Sequence, residues 1–181
     1  KERLGANALQ MQIAIGTESE FIGVINLLEQ NAVFYYDSSG STPDVVEIPE
    51  EYKEQAASLR EVLVERIAEL DEDLTVKFLE GEEISLEELK KALRKAVIAN
   101  LVAPVFCGSS LRNKGVQLVL DAVIDYLPSP LDIPPVTATL VRDGSEVLRY
   151  SKDDEPMSAL VFKIVSDPYM GRLAYLRVYS G

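Results

Sequence analysis

The chain of 181 residues contains no histidine, and its single cysteine is Cys107. These counts exclude a cysteine–histidine nucleophile pair, a zinc site built from cysteine and histidine, and a disulfide within the chain. Cys107 is therefore interpreted as a small apolar residue at the end of a strand. A single cysteine is also typical of proteins in a reducing compartment, so a cytoplasmic location is expected.

Two further features are missing. No apolar run approaches the roughly eighteen residues that a membrane span needs, so no membrane contact is expected. The phosphate-binding pattern GxxxxGK followed by Ser or Thr is also absent. That loop works by wrapping backbone N–H groups and a lysine around phosphates, so the chain alone is not expected to bind a nucleotide through its phosphates.

The net charge of −12 is concentrated in one region. Residues 44–88 hold sixteen acidic side chains and four basic ones, so the rest of the chain is balanced. Such a surface repels nucleic-acid phosphates and favours a basic protein partner. A solvated helix face that only confers solubility is the alternative interpretation.

A short apolar run at residues 103–107 ends in Gly108, Ser109 and Ser110 before a helical pattern begins. The run predicts a strand buried on both faces of a parallel sheet. Apolar residues at three-and-four spacing then predict a helix over residues 116–127. Ligands bind at the carboxyl ends of strands in open α/β sheets, so the turn is a candidate site, although an ordinary connection without a ligand fits the same residues.

The rest of the first 101 residues divides into three patterns. Residues 1–7 are interpreted as the tail of a helix, with Gly5 as its C-terminal cap. Apolar runs at 11–15, 21–28 and 32–36 predict a short antiparallel meander. Two amphipathic helices are expected next, one over residues 50–74 and one that begins at the capping box of Ser85 and Glu88.

Four prolines in residues 127–135 predict a stiff, extended connector, which we take as a domain boundary. Four strands are then expected, at residues 136–141, 145–150, 157–166 and 173–179. Polar turns separate them, as in a small antiparallel β-barrel. Four strands are fewer than a closed barrel normally needs, so a partial barrel is predicted.

Two stretches of sequence carry a family resemblance. CGSSLRNKGVQ at residues 107–117, followed by LDAVIDYLPSPLD at 120–132, resembles the fifth guanine-recognition motif and next helix of bacterial elongation factor G, a translational GTPase family. ALVFKI, DPYMGRL and RVYSG, within residues 159–181, resemble the start of that family's second domain. The family usually has Ser-Ala where this chain has Ser109-Ser110. This difference concerns the nucleotide preference that the resemblance implies.

The resemblance implies a fold and a division into domains. It is an α/β (α+β) fold in which residues 1–130 form the C-terminal part of a P-loop GTPase domain. An inserted subdomain would occupy residues 10–101, and the guanine-recognition turn and helix residues 103–127. Residues 131–181 would begin the second domain, an incomplete β-barrel. The family's phosphate loop, its switch segments and its Asn-Lys-x-Asp motif are absent, which indicates an internal fragment of a longer GTPase.

The resemblance also implies site residues and partners. Ser109, Ser110 and Leu111 would close over one edge of the guanine base, with backbone N–H groups reading its carbonyl oxygen. Glu65, Glu69 and Glu72, on the acidic first helix, would dock the ribosomal stalk protein. The parent would use GTP or GDP with magnesium, contact ribosomal RNA and act as a monomer. The fragment itself is expected to hold no catalytic residue, no metal and no bound nucleotide.

The expected function of the parent is ribosome-dependent GTP hydrolysis that drives the movement of tRNA and mRNA during protein synthesis. A ribosomal-protection or ribosome-recycling paralogue shares the same sequence blocks and stays open as an alternative. A module from another class stays open too, in which the acidic subdomain and the β-domain act only as a non-catalytic docking scaffold for the stalk protein.

Overall fold

The computed structural model describes residues 5–37 and 39–181, a mixed α/β chain in two compact units, residues 1–127 and 128–181. Residues 1–4 lie outside the described residues, and with them most of the predicted helix tail; Gly5 has the left-handed φ of 60° that suits a C-terminal cap. The strands are β1 (Ala8–Gln10), β2 (Gln12–Ile15), β3 (Gly23–Asn26), β4 (Asn31–Phe34), β5 (Asp44–Val46), β6 (Ala103–Val105), β7 (Val136–Thr139), β8 (Glu146–Arg149), β9 (Ser158–Asp167) and β10 (Gly171–Ser180). The α-helices are α1 (Glu50–Ala68), α2 (Glu72–Glu80), α3 (Leu86–Ile98) and α4 (Val116–Tyr126).

The predicted antiparallel meander is confirmed and gains a fourth strand. Strands β2, β3, β4 and β5 pair in chain order, each antiparallel to the next. We refer to them as the four-stranded sheet. All four residues of β3 are buried, because β3 is an inner strand whose Val24 and Ile25 each enter a hydrophobic cluster. The short strand β5 is exposed throughout and was not expected.

The prediction of two amphipathic helices is wrong, because the region holds three. The first predicted helix is divided between Ala68 and Glu72, where Asp71 adopts an extended conformation and its carboxylate accepts a hydrogen bond from the Leu74 N–H. This side-chain cap satisfies an N–H that would otherwise lack a partner and so begins a new helix. The apolar spacing continues across the break, which is why periodicity alone did not reveal it.

The main core lies in the first unit and joins the four-stranded sheet to the helices. Its fully buried side chains include Ile25 of β3, Ile67 of α1, and Leu89 and Leu93 of α3. Helix α3 packs against both α1 and α4. A second, smaller cluster is built around Tyr35 and reaches Cys107 and Leu118, next to the candidate turn.

Strand β6 pairs with β1 in a parallel two-stranded sheet, with Leu9 opposite Pro104. The prediction of a strand over residues 103–107 buried on both faces is wrong in two respects. The strand ends at Val105, and both Ala103 and Val105 are exposed. The physical reason is that β1 is the only strand that pairs with β6 among the described residues, so the other edge of this strand is open.

The second unit consists of two antiparallel hairpins, β7–β8 and β9–β10, which match the four strands predicted there. No sheet closes into a barrel within the described residues. Of the side chains described in this unit only that of Ser180 is buried, so the apolar residues of β9 and β10 remain largely exposed. Within residues 5–37 and 39–181, none of the helices has the length and apolar character needed to cross a membrane.

The predicted capping box at the start of α3 is confirmed and carries an additional ion pair. The Ser85 hydroxyl accepts from the Glu88 N–H, and the Glu88 carboxylate accepts from the Ser85 N–H. Lys77 of α2 lies 2.5 Å from the same carboxylate. The Lys77 ammonium, followed by the hydrogen bonds from Ser85, lowers the pKa of Glu88 from 4.5 to about 2. The carboxylate form of Glu88 therefore links two helices.

We expect Glu88→Gln to destabilise the first unit most at neutral pH, and progressively less as pH falls from 4.5 toward about 2. Because the folded-state pKa is depressed, the stabilisation is present above the ordinary pKa of the carboxyl and is lost as pH falls through the folded-state value. Glutamine still completes the cap, so the change removes mainly the contact with Lys77. Urea denaturation followed by helical circular dichroism, at neutral pH and in steps toward pH 3, measures the difference from the wild type.

Glu87→Gln is the matched control, since Glu87 is exposed in the same helical turn. It should shift stability far less than Glu88→Gln and should leave its pH dependence near that of the wild type. A Glu88→Gln effect that stays constant between neutral pH and pH 3 would contradict the assignment.

Candidate functional site

The candidate turn is a compact loop at the carboxyl end of β6, closed by its own backbone. Ser109 and Lys114 face each other, with N–H to carbonyl distances of 2.8 and 3.1 Å in the two directions. Between them residues Ser110–Arg112 form a single 3-10 turn. Asn113 and Gly115 have left-handed φ angles of 52° and 80°, which bring the chain around to begin α4. The sequence of strand, turn and helix predicted from residues 103–127 is thus present.

The tip of the turn presents backbone donors that the protein does not use. Ser110 is exposed and the Leu111 side chain is 97% exposed. The N–H groups of Ser109, Arg112, Asn113 and Lys114 all bond to carbonyls within the turn. Within the described part of the chain, the N–H groups of Ser110 and Leu111 donate no hydrogen bond. Two adjacent N–H groups at an exposed tip can receive one carbonyl oxygen from a ligand.

An open cleft of about 560 Å³ adjoins the turn. One wall is the chain from Phe106 to Ser109, and the other includes Gly16, Thr17 and Glu18, just after β2. Cys107 is half-buried here, and burial raises the pKa of its thiol. The thiol therefore stays protonated at neutral pH, in agreement with its interpretation as a small apolar residue. Ser109 is the predicted site residue that lines this cleft.

Side chains from the turn reach two loops of the four-stranded sheet. The Lys114 ammonium donates to the Phe21 carbonyl at 3.2 Å, and the Arg112 guanidinium to the Ser19 carbonyl at 2.9 Å; both acceptors lie between β2 and β3. On the other side, the amides of Asn113 and Gln117 donate to the Gly40 carbonyl, which lies between β4 and β5. Sequence reasoning missed these contacts, because the acceptors are backbone carbonyls that any residue provides.

A buried glutamine, Gln12, links the residues just before the turn to the four-stranded sheet through hydrogen bonds. Gln12 of β2 is 1% exposed; its amide oxygen accepts from the Cys107 N–H at 3.0 Å, and its amide nitrogen donates to Asn26 at 2.7 Å. Asn26 in turn donates to Asn31 at 2.9 Å. Sequence alternation placed Gln12 on the polar side of its strand and gave no signal for this network.

The three predicted acidic contact residues lie on two helices and not on one. Glu65 is in the last turns of α1, Glu69 is the residue that ends it, and Glu72 opens α2. The assignment of all three to the first helix is thereby corrected, and the cause is the break at Asp71. All three side chains are exposed, and Glu69 lies 3.7 Å from Arg66. They remain available to a partner in solution.

The described residues hold no group of three or more acidic or cysteine side chains that could bind a metal ion. The turn itself therefore offers backbone hydrogen-bond donors and an exposed apolar side chain, Leu111. Such a set can recognise the edge and face of a planar polar ligand.

The fold and the turn together define an α/β protein with a candidate ligand site at the carboxyl end of a parallel strand. No family model matches the chain. Among solved structures, it is similar to a crystal structure of a protein from Thermus thermophilus, with 33% sequence identity and a TM-score of 0.74. The similarity covers 97% of this chain and 23% of that protein. The chain thus spans about a quarter of the protein that it resembles.

Proposed function

We propose that the chain is part of a translational GTPase of the elongation factor G type, and that its turn binds the guanine edge of GTP and GDP. The observation that carries the proposal is the pair of unused N–H groups at Ser110 and Leu111. The Ser110 N–H would donate to the guanine carbonyl oxygen, and the Leu111 side chain would lie against the base. The second hydroxyl, which replaces the family's alanine, leaves that N–H in place.

The exposure of the parallel sheet formed by β1 and β6 supports the proposal that the chain is part of a larger GTPase domain. Parallel sheets are normally covered on both faces, yet Val105 of β6 is 44% exposed. The apolar side of α4 is also open, with Leu120 at 59% and Ile124 at 76% exposure. Further parallel strands and helices of a P-loop GTPase domain would cover these surfaces. Residues 10–101 would then be its inserted subdomain, and residues 131–181 the start of a barrel domain.

Phosphate and magnesium chemistry would come from elsewhere in the parent protein. The described residues include no metal-binding group, and the sequence has no phosphate loop. Magnesium and a phosphate loop act by neutralising charge on the β- and γ-phosphates during hydrolysis. The role of this chain in the parent would be to select the base, and the parent would act at the cytoplasmic ribosome in tRNA–mRNA translocation.

We expect Ser110→Pro in the complete protein to weaken GDP binding by up to about tenfold. Proline removes the unused N–H and the hydroxyl but no hydrogen bond of the turn. Ser110 is the first residue of a 3-10 turn, and Ser109 before it is extended (φ −124°, ψ 97°). Both conformations suit a proline and the residue that precedes it. Isothermal titration calorimetry with GDP and magnesium measures the change.

Ser110→Ala is the matched control, because it removes the hydroxyl and keeps the N–H. It should bind GDP within about twofold of the wild type, as expected when only a solvent-exposed group is lost. Equal losses of GDP affinity in the two variants would assign the effect to the hydroxyl and would reject the proposed role of the N–H. A complete wild-type protein that does not bind GDP would reject the proposed function itself.

The acidic region favours a second candidate role, a docking surface for the ribosomal stalk protein. Its supporting observation is the exposure of Glu65, Glu69 and Glu72 within a region of strongly negative charge. The same surface would serve a translocation factor, a ribosomal-protection or recycling paralogue, or a non-catalytic docking module. GDP binding by the complete protein separates the first two classes from the third.

A further inference from the structure

We propose that the four-stranded sheet is the platform that positions the guanine-reading turn, and that Lys114 is its principal positioning residue. The inference rests on the proposed function of the turn. It goes beyond that function because it assigns to the inserted subdomain, residues 10–101, a direct contribution to nucleotide affinity. Any docking of a partner would be an additional role.

Lys114 carries the inference because its environment is unusual for a lysine. The residue is 8% exposed, and lysine is almost never buried unless it is paired. Its ammonium donates a hydrogen bond to the Phe21 carbonyl. Among the described residues, Lys114 takes part in none of the ion pairs. The same residue closes the turn through both backbone hydrogen bonds to Ser109. A displacement of Phe21 therefore acts directly on the backbone that presents Ser110 and Leu111.

The second loop of the sheet holds the turn from the other side by close packing. Gly40 is buried, with φ of 59°, and its carbonyl accepts from Asn113 and Gln117. A Cβ atom at Gly40 would lie 2.5 Å from the Arg112 carbonyl oxygen and 2.6 Å from that of Asn113. Those atoms are backbone and cannot rotate away. The turn thus has contacts with two separate loops of one sheet, and its position follows that sheet.

A loss of positioning can be distinguished from a general loss of stability by comparing ligands that differ at the base atom that the turn contacts. A misplaced Ser110 N–H weakens binding of a base that has a 6-carbonyl oxygen and leaves a base without that oxygen unaffected. GDP has this oxygen, and 2-aminopurine riboside diphosphate lacks it. A variant with a merely structural defect would lose affinity for both ligands by the same factor.

The first test is made on the complete protein with Lys114→Met, which keeps the length of the side chain and removes the ammonium. We expect the dissociation constant for GDP to rise about threefold to tenfold and that for 2-aminopurine riboside diphosphate to stay within twofold. Arg112→Ala, at an exposed residue that also contacts the platform, should give the same selective pattern more weakly. Unchanged GDP affinity in both variants, or equal losses for both ligands, would overturn the proposal.

The second test is independent of nucleotide and uses the 181-residue chain. Amide hydrogen exchange should become faster at Ser109 and Lys114 in Lys114→Met, while exchange in the core of α3 stays as in the wild type. Exchange rates at the turn that equal those of the wild type would reject the proposal that the sheet positions the turn. Faster exchange at the turn, in a complete protein that does not bind GDP, would retain the platform and reject the proposed guanine site.

Discussion

Gln12→Met is expected to destabilise the first unit by about 2–5 kcal/mol, because it leaves buried groups without hydrogen-bond partners. Methionine matches glutamine in length but cannot accept from the Cys107 N–H or donate to Asn26. Each buried group left unsatisfied costs about 1–3 kcal/mol, and the apolar gain from methionine offsets part of that cost. The α-helices described in the chain all belong to the first unit, so urea denaturation followed by helical circular dichroism reports this unit.

Gln10→Met is the matched control for this prediction. Gln10 is two residues away on β1 and exposed, and its amide donates to the Gln12 carbonyl. The same chemical change there should shift stability by no more than about 0.5 kcal/mol, as is usual for exposed positions. If Gln12→Met were no more destabilising than Gln10→Met, the buried network would not be a stabilising link between the sheet and the turn.

The elements that sequence reasoning predicted correctly are those whose signal is local. The meander, the capping box of Ser85 and Glu88, α4 and the four strands of the second unit each depend on alternation, helical spacing or a short motif. The predicted turn after β6 is local as well, because a glycine and two serines interrupt the apolar run there. Neighbouring residues determine such features, so a single sequence contains the information for them.

The features that sequence reasoning missed depend on residues far apart in the chain. The Cys107 N–H finds its acceptor on Gln12, 95 residues away, and Lys114 finds Phe21 at a separation of 93. The break at Asp71 was missed for a different reason, since the apolar periodicity runs through it and only the side-chain cap reveals it. The exposure of β6 was missed because an apolar strand predicts burial without indicating which neighbours are available to cover it.

Reversal of the charge at Glu65 and Glu69 is expected to slow association with a stalk-protein C-terminal domain about tenfold or more at low salt. Both side chains are exposed within the acidic region of residues 44–88, Glu65 in the last turn of α1 and Glu69 at its C-terminal cap. A single exposed ion pair contributes only about 0–1 kcal/mol, so the effect arises from the summed field that steers a basic partner. Surface plasmon resonance with Glu65→Lys/Glu69→Lys measures the association rate.

Asp153→Lys/Asp154→Lys is the control that separates local docking from total charge. It makes the same change in net charge at two exposed residues of the second unit. If α1 docks the partner, this control should keep an association rate close to that of the wild type. The difference between the two variants should shrink as salt is raised, because exposed charges are screened over about 10 Å at 0.1 M. Equal slowing in both would assign the effect to net charge and remove Glu65 and Glu69 from the interface.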